Sequence, residues 1–207
     1  MLSTLAGQCG VVTDATGGVG RAVALELARD RSRVALGYAG ADFEAVERIA
    51  QEVVGLGGEA IAIRIPANDL GEIERIIAGL VDYWGRLDFV VDLDRLCVFG
   101  RAAVPWMLER THGRLLHISP PTTASGFGFS RHDITELSRF GITLNGITTD
   151  SIETRQDVAS ATYFLLAQSA LVTGRVINLG VAVSVRPRRY GRLRGCTSGR
   201  IRRSRSS

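Results

Sequence analysis

The segment Thr13-Asp14-Ala15-Thr16-Gly17-Gly18-Val19-Gly20 carries the clearest chemical signal in the chain. Its glycines let backbone N–H groups approach a ligand closely, and a helix starting just after them presents its positive end to an anion, so the segment suits a phosphate. Thr13, Ala15, Thr16, Gly18, Val19 and Gly20 are therefore the candidate cofactor-binding residues. A Gly-Gly-x-Gly segment is also a common connector, and only its place after a strand adds weight to the nucleotide reading. Polar residues at other strand ends supply acid/base candidates: His117, Asp92, Asp94 and the pair His132-Asp133. A histidine near a carboxylate can accept and return a proton at neutral pH, which suits dehydration, enolisation or cyclisation of a polyketide-like substrate. His117, Asp94 and His132 are the catalytic candidates on that reading. The plainer one is a hydrogen-bonded strand-end histidine and a solvated acidic turn.

What is missing matters as much. All 25 basic residues are arginine, so any mechanism that needs a lysine ammonium is excluded. The three cysteines, Cys9, Cys97 and Cys196, are far apart and in no metal-ligand spacing, so neither a metal nor a disulfide is expected. Cys9, beside an apolar run, reads as a small buried hydrophobe.

The elements that must position these residues follow from periodicity. Residues 8–13 form an apolar β-branched run, the glycine turn follows, and Val23, Leu25, Leu27 and Ala28 mark a helix. Arg33 to Leu36 read as a second strand and Phe43 to Leu56 as a second helix, stopped by Gly57-Gly58 as a left-handed cap. Ala60–Ile65 and Leu87–Val91 are further strands flanking a helix over Ile73–Tyr83. A helix near Arg101–Arg110 precedes strands at Arg114–Ile118 and Gly141–Asn145. A helix over Val158–Ala167 and a strand over Arg175–Leu179 complete the pattern. Strands alternating with helices imply right-handed crossovers and a Rossmann-like, doubly wound parallel α/β sheet in a single domain, residues 1–185.

Beyond Val185 the composition turns to Arg, Gly and Ser. Nine of the 25 basic residues lie between Arg186 and Ser207, where there is no acid, while the remaining body is acidic. Residues 186–207 read as a disordered arginine-rich tail; attraction of nucleic acid by this tail is the weaker alternative. No run of eighteen apolar residues occurs and Met1 to Gly10 lack a signal-peptide pattern, so a soluble cytoplasmic protein with no membrane contact is expected.

VTDATGGVGRAVALELA resembles the Thr-Gly-x-x-x-Gly-x-Gly segment of the short-chain dehydrogenase/reductase family. GGEAIAIRIPAND, WGRLDFVV, RAAVPWM, GRLLHIS, GITLNGI, SIET, DVASATYFL and VTGRVINLG are similar, in order, to segments of its 3-oxoacyl-[acyl-carrier-protein] reductase branch. Residues 5–185 are covered with gaps. The resemblance implies an NADPH-dependent carbonyl reductase, a small-molecule or carrier-bound substrate, and a homo-oligomer.

The departures bear on each implication. Asp14 stands where the family has its first glycine. A carboxylate there weakens NADPH by like-charge repulsion, or else caps the following helix. Pro66 and Asp92-Leu93-Asp94-Arg95 replace the adenine- and nicotinamide-side motifs. The end of the second strand, Leu36-Gly37-Tyr38, has no acid for a ribose hydroxyl, which favours the phosphorylated cofactor. Family reductases protonate the carbonyl from a tyrosine whose pKa is lowered by a lysine four residues on, while a serine orients it. Pro120 falls at the serine, with Ser119 one residue earlier. None of Tyr38, Tyr83, Tyr163 and Tyr190 lies between strands five and six. Three segments are also short: Asp92–Phe99, Pro120–Phe140 and Thr154–Asp157. The first two shorten helices that build a subunit interface in relatives, so a homo-oligomer should use an altered one. The sequence thus reads as a degenerate family member with a non-redox binding or acid/base role; the alternative is an NADPH-dependent reductase.

Overall fold

Cys9–Val12 (β1) is buried at all four positions, as expected for a strand covered on both sides. Six more strands follow: Arg33–Tyr38 (β2), Glu59–Arg64 (β3), Phe89–Asp92 (β4), Gly113–Ser119 (β5), Ile142–Thr148 (β6) and Val176–Asn178 (β7). The computed structural model describes residues 4–66, 69–93, 97–121, 129–150, 154–168 and 171–180. All six strand pairings are parallel, in the order β3-β2-β1-β4-β5-β6-β7. The order reverses between β1 and β4. In a doubly wound sheet that reversal opens a crevice beyond the carboxyl ends of the strands.

The helices are Gly18–Ala28 (α1), Phe43–Gly55 (α2), Leu70–Trp84 (α3), Val98–Glu109 (α4), Arg131–Arg139 (α5) and Arg155–Tyr163 (α6), the last continuing as a π-helical turn over Phe164–Gln168. Successive strand side chains point to opposite faces, and this divides the core in two. Val12, Leu36, Val91, Leu116, Ile118 and Ile147 pack with Val23 and Leu27 of α1 and Val158 of α6. Val11, Ala35, Val90, Leu115 and Leu144 pack with Ile77 of α3, Phe99 and Met107 of α4 and Leu137 of α5.

The α/β architecture is the one that the sequence implies, and Gly57 beyond α2 has the left-handed φ of 93° expected of it. Three boundaries differ. β6 runs on to Thr148, which places Thr149 at the sheet's carboxyl edge. α6 begins earlier, at Arg155, and its last turn widens into the π-helical turn with Leu165, Leu166 and Ala167 buried. Between β5 and β6 stands α5, a helix that apolar spacing does not announce because only Leu137 of its nine residues is buried. A capping box starts it: the Ser130 side chain accepts from the Asp133 N–H at 3.1 Å, and the Asp133 carboxylate accepts from the Ser130 N–H at 2.8 Å. The boundary at residue 185 and the arginine-rich tail lie outside the described residues. No described helix is long and apolar enough to cross a membrane.

Candidate functional site

The glycine turn is anchored before it can hold anything. At the end of β1 the Thr13 N–H donates to the Val91 carbonyl at 3.1 Å, and the Ala15 N–H donates to the Gly37 carbonyl at 2.8 Å. The Thr13 hydroxyl donates to Asp92 Oδ1 at 3.3 Å and accepts from the Leu93 N–H at 2.9 Å. Asp92 Oδ2 accepts from the Gly100 N–H at 3.0 Å. Asp92 is therefore a buried tie between β1, β4 and the start of α4, and Thr13 and Ala15 hold the turn from beneath. Gly20 is fixed by close approach: a Cβ there would lie 1.7 Å from the Asp14 carbonyl oxygen.

Above this base lies an open cleft of about 300 Å³. One wall is the turn and the first residues of α1, Asp14 and Gly17 to Gly20. Leu93 and Ile118 form the floor. The far wall is Ser119 and Pro120 beyond β5, with Thr149 and Asp150 beyond β6. The register that pairs Ser119 with Thr148 brings the two far strands level. The first N–H groups of α1 have no intrahelical acceptor and border the cleft, which makes this wall the anion-attracting one.

Asp14 does not cap α1. The N-cap is Gly17, with no side-chain hydrogen bond. Instead Asp14 Oδ1 accepts from the Thr16 hydroxyl at 3.5 Å, while Oδ2 lies 2.8 Å from where a Cβ on Gly17 would be. The carboxylate lies folded over the helix start, exposed at the cleft mouth. Nor does its backbone need glycine, since Asp14 has no positive φ. What distinguishes this turn is the charge rather than the conformation.

Of the cofactor candidates, Gly18, Val19 and Gly20 line the cleft, Thr16 flanks it through Asp14, and Thr13 and Ala15 lie below. The catalytic candidates are not brought together there. His117 is 8% exposed, pairs in register with Asp92, and lines a separate void of about 10 Å³ with Asp92, Cys97, Gly100 and Phe129. His132 is exposed on the first turn of α5 and does not line the cleft. Asp94 lies outside the described residues. Asp133, beside His132, has its carboxyl held below the usual range by the Ser130 backbone and side-chain hydrogen bonds. Among the described residues no group of three or more His, Cys, Asp or Glu could hold a metal ion.

Sequence reasoning missed Thr149 and Asp150, whose only signal is their place just past a strand. It also missed a buried polar cluster at the opposite, amino end of the sheet. There Asp88, 1% exposed, accepts two hydrogen bonds from Arg86 at 2.6 Å each and one from the Cys9 N–H at 2.9 Å. Burial raises the Cys9 thiol pKa, with Asp88 adding to the effect. His112 lies 3.9 Å from Asp88, and burial followed by the Arg114 charge lowers its pKa. Ligands of such sheets bind at the carboxyl ends, so this cluster is structural.

A parallel sheet reversing at β1/β4, with a glycine turn and helix N-terminus facing the crevice, defines a Rossmann-like α/β domain. Comparison with known proteins adds a likeness in sequence. Residues 8–92 match the model described as short chain dehydrogenase. The chain is 37% identical over 91 residues to an L-rhamnose 1-dehydrogenase (NAD(P)(+)) of Azotobacter vinelandii, covering 43% of this chain and 36% of that protein. It is 26% identical over 192 residues to a 3-oxoacyl-[acyl-carrier-protein] reductase of Synechocystis, covering 74% and 77% respectively. In fold it matches a metagenomic short-chain oxidoreductase solved in complex with NADP, with a TM-score of 0.75 at 22% identity over 86% of this chain and 98% of that one. The chain is thus similar to short-chain dehydrogenases/reductases, in sequence over residues 8–92 and in fold over most of its length.

Proposed function

We propose that this chain is a ligand-binding member of its family that does not perform the family's tyrosine-driven reduction. One observation carries this reading: the chain has no lysine, and no described tyrosine lines the cleft. Tyr38 ends β2 and packs on Phe43 at 5.9 Å between ring centroids. Tyr83 is exposed on α3, and the Tyr163 hydroxyl donates to Asp30 at 3.0 Å. Tyr190 lies outside the described residues. Removing a positioned general acid costs a factor of roughly 10²–10⁴ in rate, so a cleft without one retains binding long after turnover has gone.

The ligand is a small or carrier-bound molecule seated beyond β1, β4, β5 and β6. NADPH is the nicotinamide cofactor that the acid-free end of β2 would favour, and Asp14 over the helix start weakens it. Acid/base catalysis by His117 would require the ligand to reach a residue behind the cleft wall, so binding is the better supported role. The chain works in the cytoplasm as a homo-oligomer with an altered interface. The groove between α4 and α5 suits that contact: Val104, Phe129 and Leu137 are flanked by Arg101 on one side and Asp133 and Glu136 on the other. A two-fold axis would set each Arg101 against the other copy's acids.

A second reading, an NADPH-dependent reductase of a 3-oxoacyl or related ketone, is favoured by Ser119 in the cleft wall and by the reductases among the relatives. Purified protein incubated with NADPH and a 3-oxoacyl thioester divides the two. The binding reading expects no protein-dependent loss of NADPH absorbance, and stereospecific hydroxyacyl product would establish the reductase.

A further inference from the structure

α4 ends in a cap that its own residues disfavour. Beyond the C-cap Arg110, Thr111 takes the left-handed φ of 49° that glycine usually supplies. The Thr111 N–H donates to the Leu108 carbonyl at 3.1 Å and the His112 N–H to the Met107 carbonyl at 3.2 Å, which closes the last turn. A β-branched residue in that conformation is strained, so the turn depends on how well the side chains beyond it are seated. The His112 ring is incompletely seated. Its Nε2 is buried without a hydrogen-bond partner and lies 3.9 Å from Asp88 Oδ1, too far for a hydrogen bond. Asp88 is already engaged, by Arg86 at both oxygens and by the Cys9 N–H at Oδ2.

The charges facing the ring are Asp88 and Arg86 from the connection into β4, Arg110 from the end of α4, and Arg114 from β5. Three guanidinium groups stand against one carboxylate. A neutral imidazole is tolerated in that field, whereas a protonated one adds another cation beside a carboxylate whose lone pairs are largely taken. Two of the arginines are tied down: Arg110 Nη1 donates to the Gly85 carbonyl at 3.0 Å, and Arg114 Nη1 to the Gly113 and Gly141 carbonyls at 2.8 and 2.9 Å. His112 is the group that can move, because its side chain is 36% exposed and Nε2 is unbonded.

We infer that His112 is an acid-sensitive latch on the end of α4: the neutral ring holds the cap closed, and the protonated ring turns out to water and frees the Met107 and Leu108 carbonyls. Burial, then the Arg114 charge, hold the imidazole pKa below its ordinary value of about 6.5, so the closed cap is retained above that pH and lost as the pH falls below it. The latch does not depend on what the cleft binds.

Amide exchange of the full chain, followed by NMR at neutral and at mildly acidic pH and corrected for intrinsic exchange, tests the latch. Protection of the Thr111 and His112 amides is expected to fall about tenfold at the acidic pH, while Leu115 and Leu116 of β5 keep theirs. The His112 ring signals should titrate below the ordinary histidine range. His112→Gln, which takes no proton, should make the protection at Thr111 independent of pH. Arg110→Gln should shrink the fall by removing a facing cation. Equal protection at both pH values, a loss that persists in His112→Gln, or a His112 ring that titrates at or above the ordinary range overturns the latch. So does a loss shared equally by Leu115 and Leu116, because the whole chain rather than the cap would then be opening.

Discussion

Replacing Asp14 with glycine should tighten NADPH binding by about tenfold, and the structure says why the effect should be electrostatic. The Asp14 carboxylate lies over the start of α1, with Oδ2 2.8 Å from the Cβ position of Gly17. A pyrophosphate oxygen seated on that helix start would come within about 5 Å of it, where two unit charges repel by about 3 kcal/mol at an effective dielectric of about 20. Asp14 is exposed, so water and salt remove half or more of this, leaving about 1–1.5 kcal/mol. Asp14→Asn keeps the shape and removes the charge, so it should recover most of the same gain. Fluorescence titration of NADPH against the three proteins at low and high salt is the assay. The gap between wild type and both variants should narrow as salt rises. Wild-type affinity equal to that of both variants at low salt would refute the electrostatic reasoning, and a gain confined to glycine would show that space, not charge, is limiting. A urea midpoint on each variant guards against a trivial cause, since glycine at a position without positive φ costs about 0.5–1 kcal/mol of its own.

Further perturbations test the scaffold under the cleft. Thr13→Val leaves Asp92 Oδ1 and the Leu93 N–H each short of a partner, and should cost about 1–3 kcal/mol in urea unfolding. Gly20→Ala places a methyl group against the Asp14 carbonyl, so it should lower stability by about 1–3 kcal/mol and weaken every cleft ligand together. His112 has a folded-state pKa below its unfolded value of about 6.5, so protonation favours unfolding. The urea midpoint should hold above that pH and fall as the pH drops below it, and His112→Gln should flatten the acid-side slope. Asp88→Asn weakens a bidentate partner of Arg86 at a buried site, and should lower the thermal midpoint while leaving cleft binding unchanged at the far end of the sheet.

Local chemistry was readable from the chain; convergence of distant residues was not. The β1–turn–α1 unit is legible because an apolar run, a glycine cluster and a helical period follow one another in twenty residues. The α2 stop is legible because Gly57 has the conformation that ends a helix. By contrast α5 buries only Leu137, so its real signal is the Ser130–Asp133 pair rather than hydrophobic spacing. The far wall of the cleft could not be read at all. Ser119 and Thr149 are thirty residues apart and meet only through the β5–β6 register. Alternation along β5 tells that His117 and Ser119 share a face, but not that one lies inside the wall and the other borders the opening. The capping reading of Asp14 fails for a similar reason: Gly17 takes the N-cap position, and the carboxylate folds over it from outside.

The groups that shape this cleft are structural before they are chemical. Thr13, Asp92, Gly20 and Gly37 are buried and tie β1, β2, β4 and two helix starts together, so selection for stability alone would retain them. A shared sheet, turn and crevice do not by themselves carry a reaction, because a fold hosts many chemistries and the site decides among them. The residues that border the crevice without joining that core, Asp14 and Asp150 among them, are the positions at which substitution tests what it accepts with least cost to stability.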